Sequence, residues 1–248
     1  MSNVGKFGSV VVTLCVVLAP TSSSAQEQAQ SAPLAHFRFA AKAKNEGKGT
    51  ATFDLKNTEF KDDALYLNGK FGYGGEVAYR AVCKTPALDY STFTVALRFK
   101  AEDFTPYQIN KITATKTNLL TGGILYRWFG MNRSQAGNLV VTLNNQAFAY
   151  EIKGAALEKG KWTMVACAVD LPNHKITVCL NGKKVAEIAI PKDFKLTIID
   201  AKEKESEKVW SFTNHSNGNV FHGLVDELLI FDRVLPAKEM EKITLRKR

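Results

Sequence analysis

Hydrophobic and polar residues alternate along most of this chain, in short runs separated by clusters of Gly, Asn and Lys. Thr92–Phe99 shows the pattern most cleanly: Phe93, Val95, Leu97 and Phe99 fall on one face, and Thr92, Thr94, Ala96 and Arg98 on the other. A period of two belongs to an extended strand with one face buried. The same reading predicts strands over Ala35–Phe39, Ala64–Leu67, Leu119–Trp128, Asn138–Leu143, Ala147–Ile152, Trp162–Val169 and Ile176–Leu180, then over Lys184–Ile190, Lys195–Ile199, Val209–Thr213 and Val220–Phe231. Asn181-Gly182 is a two-residue hairpin turn, since both residues adopt positive φ at little cost. Glu102–Asn118 and the charged run Asp200–Lys208 read as long solvated connections. Helical spacing is confined to Pro236–Ile243, with Pro236 at a first position that suits proline. Many short strands and one terminal helix predict an all-β fold, a sandwich of two antiparallel sheets.

Residues 1–25 are a different kind of segment. Lys6 precedes the short apolar run Val10–Leu18, and Ser23-Ser24-Ala25 fits a small-residue cleavage site, so a cleaved export signal is expected. The run is too short to span a bilayer as a permanent helix. Residues 26–34 then form a polar leader and 35–248 the folded domain. A secreted, periplasmic or envelope location follows from that reading.

Composition narrows the class. At 248 residues and 45% hydrophobic content the chain can bury a large core, and 17 Gly and 7 Pro fit neither a collagen-like nor a disordered chain. The formal charge is +9, or +8 without residues 1–25, which hold one cation (Lys6) and no acid. Such a field favours acidic partners. The cations are dispersed, however, and no arginine-aromatic motif of a nucleic-acid fold is present, so a nucleic-acid partner is not expected.

Past the leader stand three cysteines, Cys83, Cys167 and Cys179. A hairpin turn centred on Asn173 would set Cys167 directly opposite Cys179, within reach of a disulfide in an exported protein. Two small buried hydrophobic side chains are the other reading. No C-x-x-C pair or His/Cys cluster has zinc spacing.

Two motifs carry a family resemblance. A strand opens with Trp162 and is followed by Leu180, Asn181, Gly182, Lys183 and Val185; later come Phe221, Gly223, Val225, Asp226, Glu227, Leu228, Ile230, Phe231, Asp232 and Leu235. Together they resemble the laminin-G-like, concanavalin A-like lectin/glucanase superfamily, across about residues 35–245 and most specifically in the last third. That resemblance implies a two-sheet jelly roll closed by a short C-terminal helix, and a scaffold used more for binding than for catalysis. It implies a core position for Trp162 and a close approach of a neighbouring segment at Gly223. Some members hold calcium through rim oxygens. Here Asp226, with loop partners such as Asn217 or Asn219, would be the metal site, the alternative being a hydrogen-bonded structural carboxylate. No other cofactor is expected.

Glucanases on this fold place paired carboxylates on one strand face at the separation glycoside hydrolysis needs. Adjacent Asp226 and Glu227 are expected on opposite faces, and the four histidines (His36, His174, His215, His222) are scattered. No catalytic residue is expected, and glycoside hydrolase is the least favoured reading. Sugar binding needs an aromatic platform flanked by polar groups. Tyr126, Arg127, Trp128, Asn132 and Arg133 offer that mixture, with Trp128 or Tyr126 open to a core reading and the arginines suited to sulfate or carboxylate. Asn214 and Asn217 lie in a second polar loop. Asn132-Arg133-Ser134 and Asn214-His215-Ser216 are also glycosylation sequons, meaningful only in a eukaryotic secretory pathway. The expected function is an exported, non-catalytic module for extracellular or envelope carbohydrate, with acidic or sulfated sugars favoured by charge. A protein-interaction, adhesion or envelope-structural role is the alternative.

Overall fold

A computed structural model describes residues 32–40, 42–68, 80–85, 88–104, 108–109, 112–113, 116–122, 128–144, 147–196, 208–212 and 221–245. Over these residues the strands run in chain order as β1 (Ala35–Arg38), β2 (Lys44–Asn45), β3 (Thr52–Lys56), β4 (Glu59–Lys61), β5 (Ala64–Asn68), β6 (Arg80–Lys84), β7 (Thr92–Asp103), β8 (Gln108–Ile109) and β9 (Ile112–Thr113). They continue as β10 (Lys116–Gly122), β11 (Phe129–Ser134), β12 (Asn138–Leu143), β13 (Phe148–Ala156), β14 (Trp162–Asp170), β15 (Lys175–Leu180), β16 (Lys183–Ala189), β17 (Val209–Ser211) and β18 (His222–Phe231), and the chain closes with helix α1 (Ala237–Thr244).

Two antiparallel sheets result. The first has the order β16-β15-β14-β7-β18-β1-β2, with β5 also pairing β18 and β4 pairing β5. The second has the order β13-β12-β11-β10-β17-β6-β3, and β8-β9 forms a small separate hairpin. Phe37, Leu65, Phe93, Val95, Leu97, Phe99, Val165 and Leu228 from the first sheet meet Cys83, Trp128, Phe129, Met131, Val141 and Trp210 from the second in one buried cluster. The inward positions of Thr92–Phe99 are those its alternation predicted. Within the expected connection Glu102–Asn118, the chain instead carries the end of β7, the β8-β9 hairpin and the start of β10. The expected strand Lys195–Ile199 is not extended-paired at 195–196, and 197–199 lie outside the described residues.

A second, smaller cluster lies on the other side of the first sheet. Ala96, Met164, Ala166, Ala168, Cys179, Leu229 and Phe231 pack there against Leu235 and Met240. The alanines on β7 and β14 leave the sheet surface low, so α1 docks closely upon it. Its end is tied down by the Gly182 N–H, which donates to Thr244 Oγ1 at 2.8 Å. Asn181 and Gly182 take φ of 47° and 82°, as their turn requires. Gly223, at φ 149°, lets β7 approach: a Cβ there would stand 2.2 Å from the Lys100 carbonyl oxygen. Among the described residues no helix is long and apolar enough to cross a membrane.

The hairpin register corrects the disulfide expectation. β14 and β15 set Cys167 opposite Val178, and Ala166 opposite Cys179. One residue of offset turns the two thiols to opposite faces. Cys167 faces the inter-sheet core and Cys179 the helix side, and Cys83, Cys167 and Cys179 are all free and buried. The offset follows from the turn, Leu171–His174, where His174 takes φ 51° rather than Asn173 forming the centre.

Candidate functional site

Of the residues expected to bind ligand, Trp128, Asn132 and Arg133 fall among those described, and these three do not share a surface. Trp128 is fully buried, with Tyr90, Phe93, Phe129 and Trp210 packed around its ring; it is a core residue and offers no stacking face to a ligand. Asn132 lies on the opposite side of β11, 4% exposed, donating its amide to Thr142 Oγ1 at 3.2 Å. Its sequon therefore sits in a paired strand with the acceptor nitrogen occupied. Arg133 stacks on Phe104, its guanidinium carbon 4.3 Å from the ring centroid, and its Nε donates to the Leu157 carbonyl at 3.3 Å. It closes one end of the sandwich core. Tyr126, Arg127, Asn214 and Asn217 lie outside the described residues.

A different face carries the chemistry. On the outer surface of the first sheet, beyond the edge of α1, cations, acids and an aromatic ring are set side by side. Their placement begins with a β-bulge. Val225 pairs with Phe99 and Glu227 with the adjacent Arg98, so Asp226 is an extra residue in β18. Its carbonyl accepts from the Phe39 N–H at 2.9 Å. Val225 and Leu228 both keep to the core, and the extra residue brings Asp226 and Glu227 to the same outer face. The expectation that adjacency separates these two acids is thus corrected: it holds for a regular strand and fails at a bulge.

Each acid is matched by a cation there. Asp226 Oδ2 lies 3.2 Å from Arg98 Nε, with the Arg98 side chain 9% exposed. Glu227 Oε1 lies 2.7 Å from His36 Nε2 and 3.7 Å from Arg38 Nε. Removing Arg98 or Asp226 leaves the other charge of that half-buried pair unmatched, at a cost below the roughly 3–5 kcal/mol of a fully buried ion pair. The ladder therefore ties β1, β18 and β7 together.

Trp162 completes the row, and its position is the second correction. It is half-buried on the outer face of β14 rather than between the sheets, as its place in the alternation with Met164 and Ala166 requires. It stands directly opposite Lys100, and Met164 opposite Arg98. The Arg98 guanidinium carbon and the Lys100 ammonium lie 5.6 Å and 5.5 Å from its ring centroid. Each such contact contributes about 0.5–1 kcal/mol at a partly exposed site, which holds the ring in place. Beside it opens a pocket of about 270 Å³, lined by Arg98, Trp162, Thr163, Met164, Asn181, Thr244 and Leu245. Asn181 is oriented by accepting from the Met164 N–H at 2.8 Å. The pocket thus has an aromatic wall, an apolar floor, a guanidinium and oriented polar groups, in a volume near the lower limit for a small ligand.

Further along the same face, Tyr66 OH lies 3.2 Å from His222 Nε2, and His222 lies 3.4 Å from Glu102. Burial, aided by the Glu102 carboxylate and opposed by Lys61, raises the Tyr66 phenol above its ordinary value.

The fold agrees with what the chain is similar to. Residues 74–241 match the sequence model of the laminin G type within the concanavalin A-like lectin/glucanases superfamily, and the chain belongs to that family. No curated protein sequence matches it. Among solved structures it is similar to the binding domain of botulinum neurotoxin DC in complex with SialylT: TM-score 0.62, 11% identity, 87% of this chain and 51% of that one covered. It is also similar to a botulinum neurotoxin type C structure described by cell entry dependent on two ganglioside molecules, with TM-score 0.59, 11% identity, and 90% and 53% covered. A sialidase CBM40 of Ruminococcus gnavus aligns with TM-score 0.48 and 17% identity, over 62% of this chain and 83% of that one. The chain spans about half the length of the toxin structures. At these identities the likeness establishes the jelly-roll sandwich.

Proposed function

We propose that this protein is an exported, non-catalytic carbohydrate-binding module whose ligand stacks against Trp162. The observation that carries the reading is the half-buried indole on an open sheet face, braced by two cations and bordering a small pocket with oriented polar groups. Sugar rings present an apolar C–H face for such a ring and hydroxyls for polar groups beside it, and most of a ligand pocket is apolar with few fixed polar contacts. Membership of a superfamily of lectins and glucanases, and the glycan ligands named for the toxin-domain neighbours, support carbohydrate as the class. The short apolar run Val10–Leu18 with its small-residue cleavage pattern supports export.

Absence of catalysis rests on the two acids of the site face. Asp226 is engaged by Arg98 and Glu227 by His36, so neither carboxyl is placed to give a proton to a leaving group or to attack a sugar carbon. The test is a screen of the purified protein against a broad glycan panel, followed by titration of the hits. Saturable binding that Trp162→Ala removes, with no reducing sugar released on prolonged incubation, is the expected result. Binding unaffected by Trp162→Ala would place the ligand elsewhere, and steady release of sugar would make the protein an enzyme.

A further inference from the structure

Lys100 is a cation of this face that has no acid of its own among the described residues. The surrounding carboxylates are taken: Asp226 by Arg98, Glu102 by Lys61 and His222, and Asp103 by Lys159. Among the described residues Lys100 forms no ion pair, and its one recorded partner is the Trp162 ring. It is half-buried and directly opposite Trp162 across the β7–β14 ladder. A partly desolvated ammonium pays more for lost hydration than an exposed one, and the ring quadrupole offsets this only in part. An anion arriving at that point meets a positive charge that no acid among the described residues cancels, in a protein whose formal charge is +9.

Resting on the carbohydrate reading of this face, we infer that the sugar stacked at Trp162 is anionic and that Lys100 pairs with its charged group. Arg98 contributes less to that recognition, because Asp226 already occupies it at 3.2 Å. An ammonium is a compact point charge with three rotatable donors, so it accepts a ring carboxylate or a ring sulfate alike. The ligand class is therefore an acidic glycan, either a uronic acid or a sulfated sugar.

The experiment measures affinity for matched pairs by calorimetric titration of the full protein. The pairs are oligogalacturonate with its carboxyl-reduced counterpart, and a sulfated galactan oligomer with its desulfated form. The acidic member of at least one pair should bind about fivefold to tenfold tighter than its neutral counterpart, the effect of one partly shielded ion pair. Which pair shows it separates carboxylate from sulfate. Lys100→Gln should erase that difference, lowering affinity for the neutral member by no more than about twofold to fivefold through loss of one cation–π brace on Trp162. Lys100→Arg, which keeps a cation over the ring, should restore much of the difference. Salt near about 1 M, where the screening length is about 3 Å, should narrow the gap. Equal affinity for acidic and neutral members, with Trp162-dependent binding intact, overturns the inference and leaves the carbohydrate reading standing. Absence of any Trp162-dependent binding removes both. Lys100→Gln lies on the sheet surface, and a melting temperature close to that of the parent protein excludes misfolding as the cause of a loss.

Discussion

Two tryptophans illustrate how position rather than residue type decides a role. Trp128 is enclosed by four aromatic rings and fully buried. Its replacement by Ala should cost about 3–5 kcal/mol, as for other large-to-small core changes, and lower the urea midpoint accordingly. Trp162→Ala removes a half-buried ring from an outer face and should destabilise the protein far less while abolishing glycan binding. A comparable loss of stability in both variants would return Trp162 to the core. Asp89 offers a separate check through pH. Burial acts to raise its pKa, but hydrogen bonds from the Ser91 hydroxyl, the Ser91 N–H and the Thr92 hydroxyl outweigh it, and the net shift is downward. With the folded value below the unfolded one, near about 3.9, the stabilisation is full above about pH 4 and disappears as pH falls through the lowered pKa. Parent and Asp89→Asn should therefore differ in urea midpoint at pH 6 and converge in strong acid. A constant difference across that range would mean these hydrogen bonds do not depend on the charge.

At the scale of the element, register decides which side chains meet. The β14–β15 hairpin is offset by one residue from a turn centred on Asn173, and this alone separates Cys167 from Cys179. Burial pushes the Cys179 thiol up to about 11 and raises Cys83 and Cys167 as well. At neutral pH all three should resist alkylation in the native protein and react fully in denaturant, without prior reduction. Mass spectrometry of the alkylated chain reads this directly, and a Cys167–Cys179 peptide pair would contradict the register. The bulge at Asp226 works the same way on a shorter scale, turning two adjacent acids to one face. Most strands were legible in the sequence because inward positions such as Phe93, Val95, Leu97 and Phe99 alternate strictly. The bulge was not, since one inserted residue leaves no compositional trace when its neighbours remain apolar. Trp162 was misplaced because both faces of β14 are apolar: Val165 and Cys167 serve the inter-sheet core, while Met164, Ala166 and Ala168 serve the helix. β3, Thr52–Lys56, carries the same alternation, half-buried Phe53 and Leu55 between exposed Thr52, Asp54 and Lys56, but only over five residues, and it was not among the expected strands.

Over the whole molecule, the sandwich supplies a rigid sheet whose outer face is divided between α1 and the charged, Trp162-bearing row. The helix covers the low, alanine-rich area, and its C-terminal Thr244 and Leu245 form one side of the pocket. Binding at such a site needs no movement of the core, because Trp162, Arg98 and Lys100 all stand on paired strands. The three tryptophans of the chain give a direct way to test this. Trp128 and Trp210 are fully buried, whereas Trp162 is half-buried and reachable. Acrylamide quenching should therefore report on Trp162 alone, and saturating amounts of a bound glycan should suppress that quenching to the level seen in Trp162→Ala. A glycan that binds yet leaves the quenching of the parent protein unchanged would contradict the assignment of Trp162 as the platform.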